Sequence, residues 1–295
     1  MRCALRFLAA FVFLLAANDA FAWGPLGHQI IAGIAARELT PAARARISDL
    51  LGGRAEAMMV LDSSWADEIR SDRPQTSAWH YVNIPLGSVG YQPRYCFKDD
   101  CVVAQISRQG RILSDPRASK PAKTEALRFL IHLVGDVHQP LHVADRNDRG
   151  GNDTMLRFRG QRRSLHAIWD QAVVEPLGQD SERIAAEIET HLTMQQRMQI
   201  GGGTPTDWAN EGFALAQKEI YAKLPARSAE NYARAQSGLA RLQLTRAGVR
   251  LGALLEPPNR WLGWYCGPSG RSVLPIWCQK TRHNGPRRAG HSAFS

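Results

Sequence analysis

The chain has 295 residues, 44% of them hydrophobic and 22% charged, with 25 Gly and 16 Pro. That is enough length and apolar content for a sizeable core, and it excludes a disordered or collagen-like chain. The formal net charge of +10 suits nucleic acid, phosphate esters or anionic lipid without choosing among them.

Residues 1–22 read as a secretory signal. Arg2 and Arg6 form a charged start, residues 7–17 are apolar, and Ala20-Phe21-Ala22 is a small-x-small cleavage site. Cleavage there makes Trp23 the mature N-terminus of a secreted or periplasmic protein. No later stretch reaches the roughly 18 uninterrupted apolar residues of a membrane span. Helical spacing follows over 27–38, where Ile30, Ile31, Ile34 and Ala35 recur. Thr40-Pro41 caps a second helix to about Leu51. A short helix is expected around 64–70, an extended segment over 79–85, and then a loop to about Val102. Residues 103–113 and 123–137 read as helices, the second strongly apolar and ended by Pro140. Residues 145–151 form a turn-rich loop, and 154–158 a short hairpin strand. Residues 165–174, 182–191, 208–224 and 228–255 read as helical, with Ser228 as N-cap of the last. Pro257-Pro258 then breaks the pattern.

The organisation expected is therefore a signal at 1–22, one mainly helical domain at 23–256 and a tail at 257–295. The tail holds Arg260, Arg271, Lys280, Arg282, Arg287 and Arg288 with no acid, a net of +6. The signal adds +1, so the main domain keeps only +3 of the total. Cys3 leaves with the signal, and export permits disulfides. Cys96 and Cys101 lie close in one loop, and Cys266 and Cys278 flank a Gly/Pro-rich stretch. Two local disulfides are the natural pairing, although four cysteines allow three connectivities.

The chemistry concentrates in the nine histidines. His132 and Asp136 are i and i+4 on an otherwise apolar helix, so both project from one face. Buried there, they cost several kcal/mol unless paired or metal-bound. His142 follows the Pro140 bend, and His166 and Asp170 repeat the i, i+4 pair on another helix. Five imidazole and carboxylate ligands in one stretch suit Zn²⁺. His138 points off the Asp136 face, and His191 reads as solvated. Asp67, His80 and His28 supply further donors upstream, each open singly to a bland reading as a helix-start acid or a packed histidine.

Taken in order, these residues resemble the trinuclear-zinc, single-strand-specific nucleases, the family of the fungal nucleases S-one and P-one with plant and bacterial members. The resemblance runs through Trp23-Gly-Pro-Leu-Gly-His28, Ser64-Trp-Ala-Asp67, Trp79-His80-Tyr-Val-Asn83, His132-Leu-Val-Gly-Asp136-Val-His-Gln-Pro-Leu-His142, Gly150-Gly-Asn152 and Leu165-His-Ala-Ile-Trp-Asp170. It covers most of residues 23–256. It implies a mainly α, single helical domain of the zinc-dependent phospholipase C and P-one nuclease type, with a short β-hairpin.

The resemblance also implies roles. Three Zn²⁺ are expected: one held by Asp67, His80, His132 and Asp136, and one by His142, His166 and Asp170. The third is held by Asp136, His28 and the main-chain amine and carbonyl of Trp23. Zinc-activated water is the implied nucleophile, with Asp67, Arg70 and Asp136 in catalytic positions. Asn152 matches an asparagine at the phosphate, and Tyr81 and Asn83 match the base-binding pair, where fungal members have Phe and Asp. Stacking survives the first change, whereas the second alters the donor and acceptor set. The expected activity is cleavage of single-stranded DNA and RNA to 5′-phosphorylated products, with 3′-nucleotidase action, by a monomer with no stable protein partner. A phospholipase C on the same scaffold is the first rival. A zinc-storage protein is the second, disfavoured because storage has no need of Arg70 and Asn152.

Overall fold

The computed structural model describes residues 23–225 and 228–256. The expected signal, the basic tail and the Cys266 and Cys278 pair lie outside the described residues. The chain is mainly helical: α1 (Pro25–Glu38), α2 (Pro41–Leu51), α3 (Ala55–Leu61) and α4 (Trp65–Glu68) come first. They are followed by α5 (Val102–Ser114), α6 (Lys120–His138), β1 (Met155–Phe158), β2 (Gln161–Ser164) and α7 (Leu165–Ala167). The last are α8 (Ser181–His191), α9 (Met194–Ile200), α10 (Pro205–Leu215) and α11 (Glu230–Leu255).

The caps explain where several helices start. The hydroxyls of Thr40 and Ser119 accept from the backbone N–H groups of Ala43 and Ala122, with Pro in the first turn of α2 and α6. From Ala126 to His138 every residue of α6 except Arg128 is buried. A helix buried on all sides belongs at the centre of the domain. Leu127, Phe129, Leu130 and Ile131 are fully covered, each such side chain stabilising the fold by about 1.5–3 kcal/mol. α1 packs on α11, α8 and α3, while α6 packs on α5 and α11. No described helix is long and apolar enough to cross a membrane.

Several expectations are corrected. Residues 74–80 form a 3₁₀ helix, so only the part after His80 is extended. That part alternates: Val82 and Ile84 are buried, Tyr81 and Asn83 exposed. Val82 N–H donates to the His142 carbonyl, and Asp145 N–H to that of Ile84, so the segment lies alongside 142–145. The stretch after α7 widens into a π-helical turn at Ile168–Ala172. Ser228 is not the N-cap of α11. That place falls to Ala229, while Ser228 bridges to Arg157 of β1. α3 and α9 were not anticipated. α9 buries nothing, but its Thr193/Gln196 capping box was readable.

β1 and β2 form an antiparallel hairpin in the register Phe158 to Gln161. Arg159 and Gly160 between them both have positive φ (50° and 76°), as a two-residue type I′ turn demands. Cys96 and Cys101 are disulfide-bonded, with Cα atoms 5.3 Å apart. The next residue, Val102, donates its N–H to the Tyr81 carbonyl.

Candidate metal centre

His132 and Asp136 sit on the buried middle of α6, as their spacing requires. Around them converge Asp67 from α4, His80 from the end of the 3₁₀ turn and His28 from α1. His132 Nε2 lies 3.4 Å from both Asp67 Oδ2 and Asp136 Oδ2. His80 Nδ1 lies 2.9 Å from Asp136 Oδ2 and 3.5 Å from Asp67 Oδ1. His28 Nε2 lies 3.4 Å from Asp136 Oδ1, and its ring stacks on His132 with centroids 4.0 Å apart. Gly135 makes that stacking possible: a Cβ there would stand 2.8 Å from His28 Nδ1.

A second convergence joins His142, just after Pro140, to His166 of α7 and Asp170 of the π turn. Asp170 Oδ2 lies 3.6 Å from His166 Nε2, and Gln139 Nε2 donates to Asp170 Oδ1 at 2.7 Å. Together the side chains make three groups whose donor atoms lie within 4.8 Å of one another. These are His28/His132/Asp136, Asp67/His80/His132 and His142/His166/Asp170, all buried. His132 therefore serves two groups, and His28 is set beside His132 as well as Asp136. Trp23 lies between the convergences: its indole N–H donates to the Gly135 carbonyl, and the adjacent Gly24 N–H to that of Asp170.

The donor set fits metal ions on two observations. Among the described residues, five buried side-chain atoms have no hydrogen-bond partner: both ring nitrogens of His28, Nε2 of His80 and of His132, and Oδ1 of Asp136. Buried polar atoms are otherwise almost always satisfied. In addition, the Nδ1 atoms of His142 and His166 each face a carbonyl, those of His80 and Gly150, at 2.7 Å. A carbonyl only accepts, so Nδ1 carries the proton and Nε2 is a bare lone pair in the neutral ring. The two Nε2 atoms nevertheless face each other at 3.1 Å, an arrangement that calls for a cation between them. His132 Nδ1 is fixed in the same way, by the Ser63 carbonyl at 2.8 Å.

The electrostatics divide along the same line. Burial opposes charge on His132, but Asp136 and Asp67 outweigh it and push the imidazole up to about 9. Burial opposes ionisation of Asp67 and Asp136 too, and His132 still holds both below the usual carboxylate range. Burial, then the neighbouring His142, takes His166 down to about 3. Burial also raises Asp170 well above the usual range despite the Gln139 bond. His28, buried beside His132, is lowered to about 3.

A family model described as S1/P1 nuclease matches residues 23–258. The chain belongs to the S1/P1 nuclease family. Endonuclease 2 of Arabidopsis thaliana is 29% identical over 282 residues, covering 82% of this chain and 92% of that protein. Nuclease P1 of Penicillium citrinum is 33% identical over 162 residues, 52% of this chain and 59% of its own. Nuclease S1 of Aspergillus oryzae is 31% identical over 170 residues, with corresponding shares of 55% and 58%. As an S1/P1 nuclease the chain is a phosphodiesterase of a zinc-dependent family.

Besides Trp23, four of the expected catalytic and substrate-binding residues stand outside the three groups. Arg70 is part-buried, with Nη1 3.3 Å from Asp67 Oδ1. Tyr81 and Asn83 present exposed side chains from the extended segment. Asn152 donates to the Arg149 carbonyl at 2.9 Å. His138 is tied elsewhere, donating to the Val134 carbonyl and accepting from Arg250. Asp148 was missed. Its buried carboxylate accepts from Gly151 N–H, the Thr154 hydroxyl and the Tyr221 hydroxyl. It thereby fixes the loop whose Gly150 carbonyl orients His166. The Asp/Asn/Gly content of 145–152 signals a turn, but nothing in the sequence announces Tyr221 as its partner.

Proposed function

We propose that the protein is an exported endonuclease cutting single-stranded DNA and RNA to 5′-phosphorylated products, and that it also removes 3′-phosphate from nucleotides. The cofactor is three Zn²⁺. Asp67, His80, His132 and Asp136 hold one, His142, His166 and Asp170 the second, and Asp136, His28 and the Trp23 main chain the third. The observation that carries the reading is the set of five buried ligand atoms without partners in a chain of this family. Zinc supplies Lewis acidity and makes water a nucleophile near neutral pH.

The chain's own groups do the rest. Arg70, held beside Asp67, neutralises charge gathering on the phosphate. Asn152 donates to a phosphate oxygen once it gives up the Arg149 carbonyl. Tyr81 offers an exposed ring on which an unpaired base stacks, and Asn83 hydrogen-bonds that base. Stacking needs an unstacked base and tolerates any sequence, which accounts for a single-strand preference. Cleavage after Ala22 frees the Trp23 amine, so the precursor lacks one ligand of the third zinc.

The test uses protein processed at Ala22. Acid-soluble nucleotides released from heat-denatured DNA are measured before chelation, after it, and after Zn²⁺ is restored. Release that disappears and returns is expected. No release from folded, zinc-loaded protein overturns the reading and moves the search to phospholipid substrates.

A further inference from the structure

Beside the metal centre, and not part of it, an open cavity of about 390 Å³ is lined by Trp65, Arg73, Lys120, Thr124, Glu125 and Arg128. The lining carries three cations against one carboxylate. Two of the cations, Arg73 and Lys120, are exposed and held only by surface ion pairs, with Glu125 at 3.0 Å and Asp49 at 2.7 Å. Such pairs are weak and yield to a competing anion. Arg128 is fixed more firmly. Its guanidinium lies 5.4 Å from the Trp65 ring centroid, and its Nε donates to Asp62 at 2.8 Å.

The walls of this cavity are the supports of the metal centre. Trp65 and Arg73 bracket Asp67 and Arg70 in one short stretch of chain. Asp62, which anchors Arg128, adjoins Ser63, whose carbonyl orients His132. On α6, Arg128 lies one turn from His132 and Thr124 lies two, about 12 Å along the axis. Arg70 and Arg73 are three residues apart, so the cavity adjoins the turn that carries Arg70.

We propose that this cavity is an accessory anion subsite that takes a flanking phosphate of the single strand being cut. The inference rests on the nuclease reading and adds a strand-length preference to it. Arg73 and Lys120 draw in the phosphate, while the Trp65–Arg128 stack forms the floor. No base is read, so the subsite is indifferent to sequence.

The experiment uses the zinc-loaded protein carrying Arg73→Glu together with Lys120→Glu. Arg183→Glu with Arg234→Glu, on α8 and α11, matches the change in net charge. Each is assayed on a thymidine dinucleotide and a ten-residue oligothymidylate. The ratio of kcat/KM for the oligomer to that for the dinucleotide falls about tenfold in the cavity variant, mainly through KM. The slope of log KM against log salt drops by about 0.7, for one lost phosphate contact. Equal losses on both substrates, no loss, or the same loss in the matched control overturn the subsite.

Binding of a phosphorothioate oligothymidylate, followed by fluorescence anisotropy, separates the two readings. Wild type that cleaves, but whose strand binding is untouched by the substitutions, overturns the subsite alone. Wild type that binds, loses binding in the cavity variant and cleaves neither substrate overturns the nuclease reading and supports the subsite. Weakened competition by inorganic phosphate with unchanged strand binding overturns the assignment to the strand.

Discussion

The two His/Asp pairs share one spacing and behave as opposites. His132 and Asp136 lie on an unbroken helix with a second carboxylate, Asp67, facing them, and the imidazole is held up to about 9. His166 and Asp170 lie where α7 opens into a π turn, opposite another histidine, and the imidazole is pushed down to about 3. The i, i+4 interval places ligands side by side. Which of them keeps its proton depends on what the rest of the chain brings opposite. In the first region the shift favours a proton on the histidine, whereas in the second the shifts favour a neutral imidazole and oppose ionisation of Asp170.

The sharpest way to break the comparison is to remove the carboxylate that three histidines face. On the proposed three-zinc assignment, Asp136→Asn is expected to lower turnover by at least ~10²-fold and to lose two zinc equivalents. His166→Ala should lose one. Metal analysis after gel filtration reads both, and equal losses would merge the two regions into one site. A smaller effect is expected from Gln139→Ala, which frees Asp170 Oδ1. Weakening of about 10–100-fold for a single zinc should appear in a chelator titration.

Acidity sharpens the contrast further. His28 and His166 stand near 3 in the folded, metal-free protein, against an ordinary 6.5. The unfolded chain binds more protons between those values, so stability falls as pH drops from 6.5 toward 3. His132 runs the other way. Its contribution is complete below 6.5 and is lost as pH rises through about 9. Melting of chelated protein across this range is expected to decline on both sides, and a curve flat in acid would contradict the neutral state of His28 and His166. The smallest effect belongs to Gly160→Ala, in the hairpin that leads into His166. At φ 76° it costs about 1 kcal/mol in denaturant melts and leaves the zinc count unchanged.

Much of this was legible because helices advertise themselves. Thr40-Pro41 marked a start, the apolar run ending at Pro140 marked the central helix, and the ligand spacings marked its buried face. What stayed hidden depended on distant partners. The π turn at Ile168–Ala172 leaves no periodic trace. α9 carries Met194, Met198 and Ile200 but fully buries none of them, and shows only its cap. Ser228 looked like a cap but is taken by backbone pairing with the hairpin. The lone-pair conflict between His142 and His166 exists only because two separate carbonyls fix both rings, and no local pattern encodes that.

Gly135 offers a last lesson. It has no functional group, yet a single added methyl there would meet the His28 ring at 2.8 Å. In a library of all substitutions scored for activity, position 135 should be as unforgiving as the ligands that surround it. Its neighbour Val134, although equally buried, should accept other aliphatic residues. Intolerance at 135 would then record the closeness of two helices rather than any chemistry of its own.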